Sequence, residues 1–251
     1  MNKKTRFNLL DIPIDNVTMD QALDMIIDSI KDREKTSELN FVNAHCINVS
    51  CTDAEYKQIL QGSDAIFADG SGIRMAGEIF DVKIADNVNG TDMFPLLCRR
   101  CKDEGLKIFL LGASPGTASR VQTWVHTEIA PDIISGVHDG FFTLDDTPVL
   151  LTEMKESEAD LLLVAMGVPR QEKWIHQNLN ELPVATAMGV GGLFDFFSGN
   201  IKRAPMWMRK LGIEWVWRLL KEPRRMWKRY IVGNIVFTHR VKKAAKKSKR
   251  Q

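Results

Sequence analysis

Along the first 190 residues, short runs rich in apolar and β-branched side chains alternate with stretches in which apolar positions recur every three or four residues. Six runs predict strands: "ELNFVN" (38–43), "DAIFAD" (64–69), "KIFLLG" (107–112), "DIISGV" (132–137), "DLLLVAMG" (160–167) and "PVATAMG" (183–189). Several are continuously apolar, as expected of a strand covered on both faces. Helical patterns lie between them. In "TMDQALDMIIDSI", Thr18 and Gln21 have capping-box spacing, and Met19, Ala22, Met25, Ile26 and Ile30 fall on one face. Thr52 and Glu55 repeat the signature before "AEYKQIL". Strands separated by helices predict βαβ units and an α/β fold: a Rossmann-like, mostly parallel sheet with helices on both faces.

Near residue 200 the pattern changes. Ile213, Val216, Trp217 and Leu220 make an apolar helical stripe, Pro223 interrupts it, and Met226, Trp227, Tyr230 and Ile231 resume it. If the two pieces stack as one helix, Arg218, Arg225 and Lys228 gather on the opposite side. The end, "HRVKKAAKKSKR", shows no apolar face and is expected to be disordered. The reading is therefore an α/β domain over residues 1–200, a basic amphipathic helical appendage over 201–239 and a polybasic tail over 240–251.

Charge sharpens this division. Residues 1–200 hold 17 Lys/Arg against 30 Asp/Glu, while residues 201–251 hold 17 against 2. A basic end on an acidic body implies an anionic partner. Nucleic acid is not expected: the body carries no nucleic-acid fold motif, and its negative charge repels a long polyanion. An anionic membrane surface fits better, with Trp215, Trp217 and Trp227 at the headgroup boundary and each basic residue adding about 1 kcal/mol. No apolar run reaches the roughly 18 residues that span a bilayer, and the N-terminus lacks the apolar core of a signal peptide. The expected location is cytoplasmic, peripheral on the inner face of the cell membrane. Cys98 and Cys101 form a CxxC on a predicted helix without a second ligand pair, so they read as helix thiols rather than a zinc site.

In open α/β sheets, ligands bind beyond the carboxyl ends of the strands. The runs that follow these strands are "NAHC", "DGSG", "GASPG", "VPRQEKW" and "GVGGLFDFFSG". "LLGASPGTASR" leads into a helix capped by Ser114 or Thr117, and Gly112 and Gly116 there suit an anion near free N–H groups. It is neither a Walker A loop nor GxGxxG, and "GVGGLFDFF" also lacks a dinucleotide fingerprint. Asp69 sits at a strand end, where a carboxylate serves as a general base or simply as a turn residue. "MGVPRQEKW" puts Arg170, Gln171 and Glu172 in the first turn of a helix after Pro169. No Asp-x-Asp occurs, so positive side chains and helix dipoles would have to neutralise a leaving diphosphate.

Taken together, "NAHC", "ADGSGI", "LLGASPG", "VAMGVPRQEKWI", "GVGGLFDFFSGNIKRAP" and "GIEWVWRLLKEPRR" resemble the WecG/TagA/CpsF glycosyltransferase family, over about residues 8–231. The resemblance implies an inverting, metal-independent transfer of a hexose or N-acetylhexosamine, of N-acetylmannosamine type, with no cofactor. Its donor would be a UDP-sugar and its acceptor a polyprenyl-diphosphate-linked sugar, in cell-surface polysaccharide or teichoic-acid-type synthesis. It further implies Asp69 as catalytic base, Asn43 and Gln171 holding donor or acceptor, and Arg218, Arg225 and Lys228 facing the diphosphate. Two positions depart from the pattern: Phe41, where many relatives have threonine, and Asn87, where many have arginine. A homo-oligomer is compatible with the sequence, which does not set the number of subunits. Two other classes compete: a nicotinamide-dependent oxidoreductase, against which the poor glycine fingerprint counts, and a non-enzymatic peripheral membrane adaptor.

Overall fold

In a computed structural model, residues 6–248 are described, apart from the side chains of Lys210 and Arg225. The strands are β1 (Arg6–Leu9), β2 (Ile12–Asp15), β3 (Ser37–Val42), β4 (Ala65–Ala68), β5 (Ile108–Gly112), β6 (Ile134–His138), β7 (Leu161–Ala165) and β8 (Thr186–Gly189). The helices of the body are α1 (Met19–Lys31), α2 (Ala44–Ser50), α3 (Ala54–Gly62), α4 (Ser71–Ile79), α5 (Gly90–Glu104), α6 (Thr117–Glu128), α7 (Thr147–Glu156), α8 (Arg170–Asn178) and α9 (Leu193–Phe197). The appendage adds α10 (Met206–Lys210), α11 (Glu214–Lys221), α12 (Pro223–Trp227) and α13 (Gly233–Ser248), with a π turn over Lys228–Val232 joining the last two. The sheet order is β1-β2-β4-β3-β8-β7-β5-β6, parallel except for the β1–β2 hairpin at one edge.

Continuous apolar strands have two faces to bury, and they do. Leu39, Phe41, Phe67, Leu110 and Leu163 point into a core shared with α1, α5 and α6. Their neighbours Val42 and Ile66 point the other way, toward α2, α3, α4 and α13. Phe109, Leu162 and Val164 pack on α7 and α8. Every predicted strand is present, with ends that differ by at most three residues. Thr18 and Gln21 form the expected reciprocal capping box on α1.

Several local expectations are corrected. The cap of α3 is Asp53, whose side chain accepts from the Tyr56 N–H, while Thr52 bonds back to Val49. Neither Ser114 nor Thr117 caps α6; Gly116 occupies that place without a side-chain bond. Cys98 and Cys101 are fully buried on α5, and burial pushes the Cys101 thiol up to about 12.

Residues 233–248 are helical, not disordered, and α13 buries Phe237, Val241 and Ala245 against the body. These three recur every fourth residue, so a stripe begun at Phe237 continues into the lysine-rich segment. Arg240 donates to both the carbonyl and the side-chain oxygen of Asn48 on α2, and Asn48 donates to the Gly233 carbonyl. Residues 249–251 lie outside the described part. Truncation after residue 239 therefore removes core contacts. Burying a valine contributes about 2 kcal/mol, so the melting temperature should fall by roughly 5 °C or more in a chain of this size. Thermal unfolding followed by circular dichroism checks this; a purely solvated tail would leave the transition unmoved.

Candidate active site

β3 and β4 pair with Val42 opposite Ala68, which brings the next residue of each strand, Asn43 and Asp69, side by side at their carboxyl ends. Asn43 is the N-cap of α2. Its Oδ1 accepts from the backbone N–H groups of His45 and Cys46 at 3.0 and 3.3 Å. That fixes the amide's orientation and leaves Nδ2 to donate to Asp69 Oδ2 at 3.3 Å. The Asp69 N–H bonds to the Val42 carbonyl at 2.9 Å, continuing the ladder one step. Gly70 follows at φ +88°, a conformation that favours glycine, and its N–H donates to Asn87 Oδ1 at 2.6 Å. Asn87 thus braces the turn that carries Asp69.

Asp69 opens onto a cavity of about 480 Å³ between the body and the appendage. Its walls include Asn43, His45 and Gly72 from the body and Arg209, Glu214, Trp215, Arg218, Arg229 and Tyr230 from the appendage. Burial pushes the Asp69 carboxyl up to about 6, raised further by Glu214, while the Asn43 hydrogen bond, Arg229 and Arg218 oppose the rise. A carboxylate poised there is mostly ionised at neutral pH and still basic enough to accept a proton. Burial first, and Arg229 second, depress the His45 imidazole to about 4, so it is neutral.

The appendage is seated by specific contacts. Arg203 and Arg209 both reach Asp92 Oδ1, at 2.7 and 3.1 Å. The Arg218 guanidinium lies over the Phe196 ring and against Gly192, where a Cβ would come within 2.5 Å of it. Arg218 also approaches Glu222 at 3.5 Å.

Of the residues singled out from the sequence, the fold brings Asp69, Asn43 and Arg218 to the cavity. The Arg225 side chain lies outside the described part. Lys228 is exposed, its ammonium 5.9 Å from the Trp227 ring centre. In its place Arg229 lines the cavity, a residue the sequence reading passed over. The reason is the break between α11 and α12: Glu222 has φ −130° and ψ 58°, so the two pieces do not stack as one helix and the 3.6-residue spacing that aligns Arg218, Arg225 and Lys228 does not carry across it. Gly112 and Gly116 are not on the cavity wall. A Cβ on Gly112 would meet Ala165 backbone at 2.5 Å, and the Thr117 hydroxyl at the start of α6 accepts from Asn200. Gln171 is buried away from the cavity. Of the three tryptophans, Trp215 lines the cavity and packs on Tyr230, Trp217 donates to the Lys202 carbonyl, and Trp227 is the exposed one. Among the described residues, no cluster of three or more His, Cys, Asp or Glu stands at metal-binding distance, and no helix is long and apolar enough to cross a membrane.

Residues 7–251 match the model of the glycosyl transferase WecG/TagA/CpsF family. The chain is also 31% identical, over 221 residues, to an N-acetylglucosaminyldiphosphoundecaprenol N-acetyl-beta-D-mannosaminyltransferase of Bacillus subtilis (strain 168), covering 88% of this chain and 85% of the relative. With a family match over residues 7–251 and a relative 31% identical across 88% of the chain, the protein belongs to the WecG/TagA/CpsF family and is a glycosyltransferase.

Proposed function

We propose that the enzyme moves a hexose or N-acetylhexosamine from a UDP-sugar to a polyprenyl-diphosphate-linked sugar, by one in-line displacement that inverts the anomeric centre. The observation that carries this reading is Asp69: a carboxylate oriented by Asn43 in a half-enclosed cavity that also holds three appendage arginines, of which Arg218 and Arg229 are the ones not paired with Asp92. In such a reaction, Asp69 takes the proton of the acceptor hydroxyl as that oxygen attacks the anomeric carbon. The UDP oxygen then leaves with the bonding pair, and the arginines stabilise its charge. The scheme parallels inverting glycoside hydrolysis, with a sugar hydroxyl replacing water. The acceptor class follows the name of the Bacillus relative; the donor sugar is left at the level of the class because Asn87 departs from the pattern.

The enzyme acts at the inner face of the membrane, where its lipid-linked acceptor lies. The appendage exposes Trp207, Leu211, Leu220, Trp227 and Ile235 alongside its basic residues. Binding to vesicles containing anionic lipid should weaken steeply between low and physiological salt. Salt-insensitive binding would argue against a basic docking face. Activity should also survive EDTA, because guanidinium groups do the neutralising that an Asp-x-Asp metal site does elsewhere; a loss reversed by magnesium or manganese would overturn that part. The class of chemistry is tested by ligand-induced stabilisation. UDP at about 100 times its dissociation constant adds about 2.7 kcal/mol and raises the melting temperature, whereas NAD leaves it unchanged. The reverse pattern would favour the oxidoreductase reading.

A further inference from the structure

The geometry points to a positioning role for the Gln171–Glu172 pair: Gln171 clamps the exits of β7 and β8 and so holds the turn against which Arg218 rests, without touching substrate itself. This rests on the leaving-group role proposed above for Arg218. Gln171 is 2% exposed. Its Oε1 accepts two backbone N–H groups, Gly167 after β7 at 3.1 Å and Gly191 after β8 at 2.9 Å. Its Nε2 donates to Glu172 Oε1 at 2.9 Å, which fixes the amide's orientation. Each polar atom of the Gln171 side chain is therefore engaged within the protein. Gly189 permits this approach, since a Cβ there would come within 2.6 Å of Gln171 Nε2.

The clamp leads to the cavity in short steps. Gly191 is followed by Gly192, against which the Arg218 guanidinium packs, and then by α9, whose Phe196 lies under the same guanidinium and lines the cavity. Loss of the Gly191 bond frees the turn that sets where Arg218 points. Glu172 is 1% exposed, its Oε2 has no partner among the described residues, and burial pushes its carboxyl up to about 7. The ionisable groups that bear on it are Glu38 on β3, Cys46 on α2 and Tyr56 on α3. None of them is a cation, so Glu172 carries its proton more readily than an exposed glutamate.

Two variants and one cycle test the clamp. Gln171→Leu removes the double acceptor. Amide hydrogen exchange should accelerate at Gly167 and across 190–197, and UDP affinity should fall about tenfold, within the range of neighbour couplings. In an Arg218→Gln background the same change should cost less than about twofold, because its effect passes through Arg218. Gln171→Glu keeps the double acceptor and regains the third bond when Glu172 holds its proton. It should therefore resemble the native enzyme more closely at pH 6 than at pH 8. Unchanged exchange in Gln171→Leu overturns the clamp, whether or not nucleotide binds. Additive losses with Arg218→Gln, or equal losses in Gln171→Glu and Gln171→Leu at both pH values, would make Gln171 a direct ligand. If the native chain binds no UDP, it is the proposed function that fails, and the exchange result still decides the clamp.

Discussion

Replacing Asp69 with asparagine lowers turnover by roughly two to four decades, the usual contribution of a general base, while the fold and UDP binding persist. Persistence follows from the local geometry: an asparagine still fits beside Asn43, and the backbone bond from residue 69 to Val42 does not depend on the side chain. What is lost is the only function the amide cannot supply, acceptance of the acceptor's proton. The native enzyme's pH profile carries the same signature. Burial holds the Asp69 carboxyl at about 6, and the base must be ionised, so kcat/KM should rise as pH passes upward through about 6. In Asp69→Asn that limb disappears from the residual rate. Near-native turnover in the purified variant would return Asp69 to the status of a turn residue. A retained limb would assign the titration to another group, such as Glu172, which burial pushes up to about 7.

The second large effect is at Arg229. Arg229→Gln should cut turnover on a water-soluble acceptor by about two decades, comparable to loss of one donor to a developing oxyanion, and Arg218→Gln should do the same. Arg229 borders the cavity with its Nε buried and without a hydrogen-bond partner, and among the described residues its guanidinium forms no ion pair; its ring contact is with Tyr230, 5.6 Å away. A cation held in that way beside a carboxylate is available to an anionic ligand. Arg229→Lys keeps the charge but loses the fork of donors, so it should restore part of the rate. Lys228→Gln, which alters an exposed ammonium, should stay within about threefold. The soluble acceptor separates these effects from membrane binding. If Lys228→Gln were the damaging change and Arg229→Gln harmless, the helical register read from the sequence would hold and the break at Glu222 would be irrelevant to the site.

Much of this architecture was legible in the residues because its causes are local. Strands buried on both faces read as apolar runs, and the pairing of β3 with β4 is enough to set "NAHC" beside "ADGSGI". The N-terminal hairpin was not legible. Its turn is Leu10–Asp11, both at positive φ, in place of the asparagine and glycine that usually announce such a turn. The helical tail was missed because its three buried residues are spread among lysines and become a stripe only once Phe237 is included. Gln171 shows a different limit. A polar residue at a helix start after a strand is read as facing ligand, yet here two loop N–H groups reach it first, an arrangement that depends on β7 and β8 being neighbours. Arg229 depends on the non-helical Glu222 between α11 and α12, which resets the register that a single helix through Pro223 would impose.

The central claim, sugar transfer from a UDP donor with Asp69 as base, is tested most directly by the mass of the product. The purified enzyme is incubated with a panel of UDP-sugars and a short-chain polyprenyl-diphosphate-N-acetylglucosamine acceptor, alongside Asp69→Asn. One donor should add the mass of a single hexose or N-acetylhexosamine residue to the acceptor, with release of UDP, and Asp69→Asn should form at most about one hundredth as much product in the same time. An acceptor left unmodified by every UDP-sugar, or an equal yield from Asp69→Asn, would contradict it.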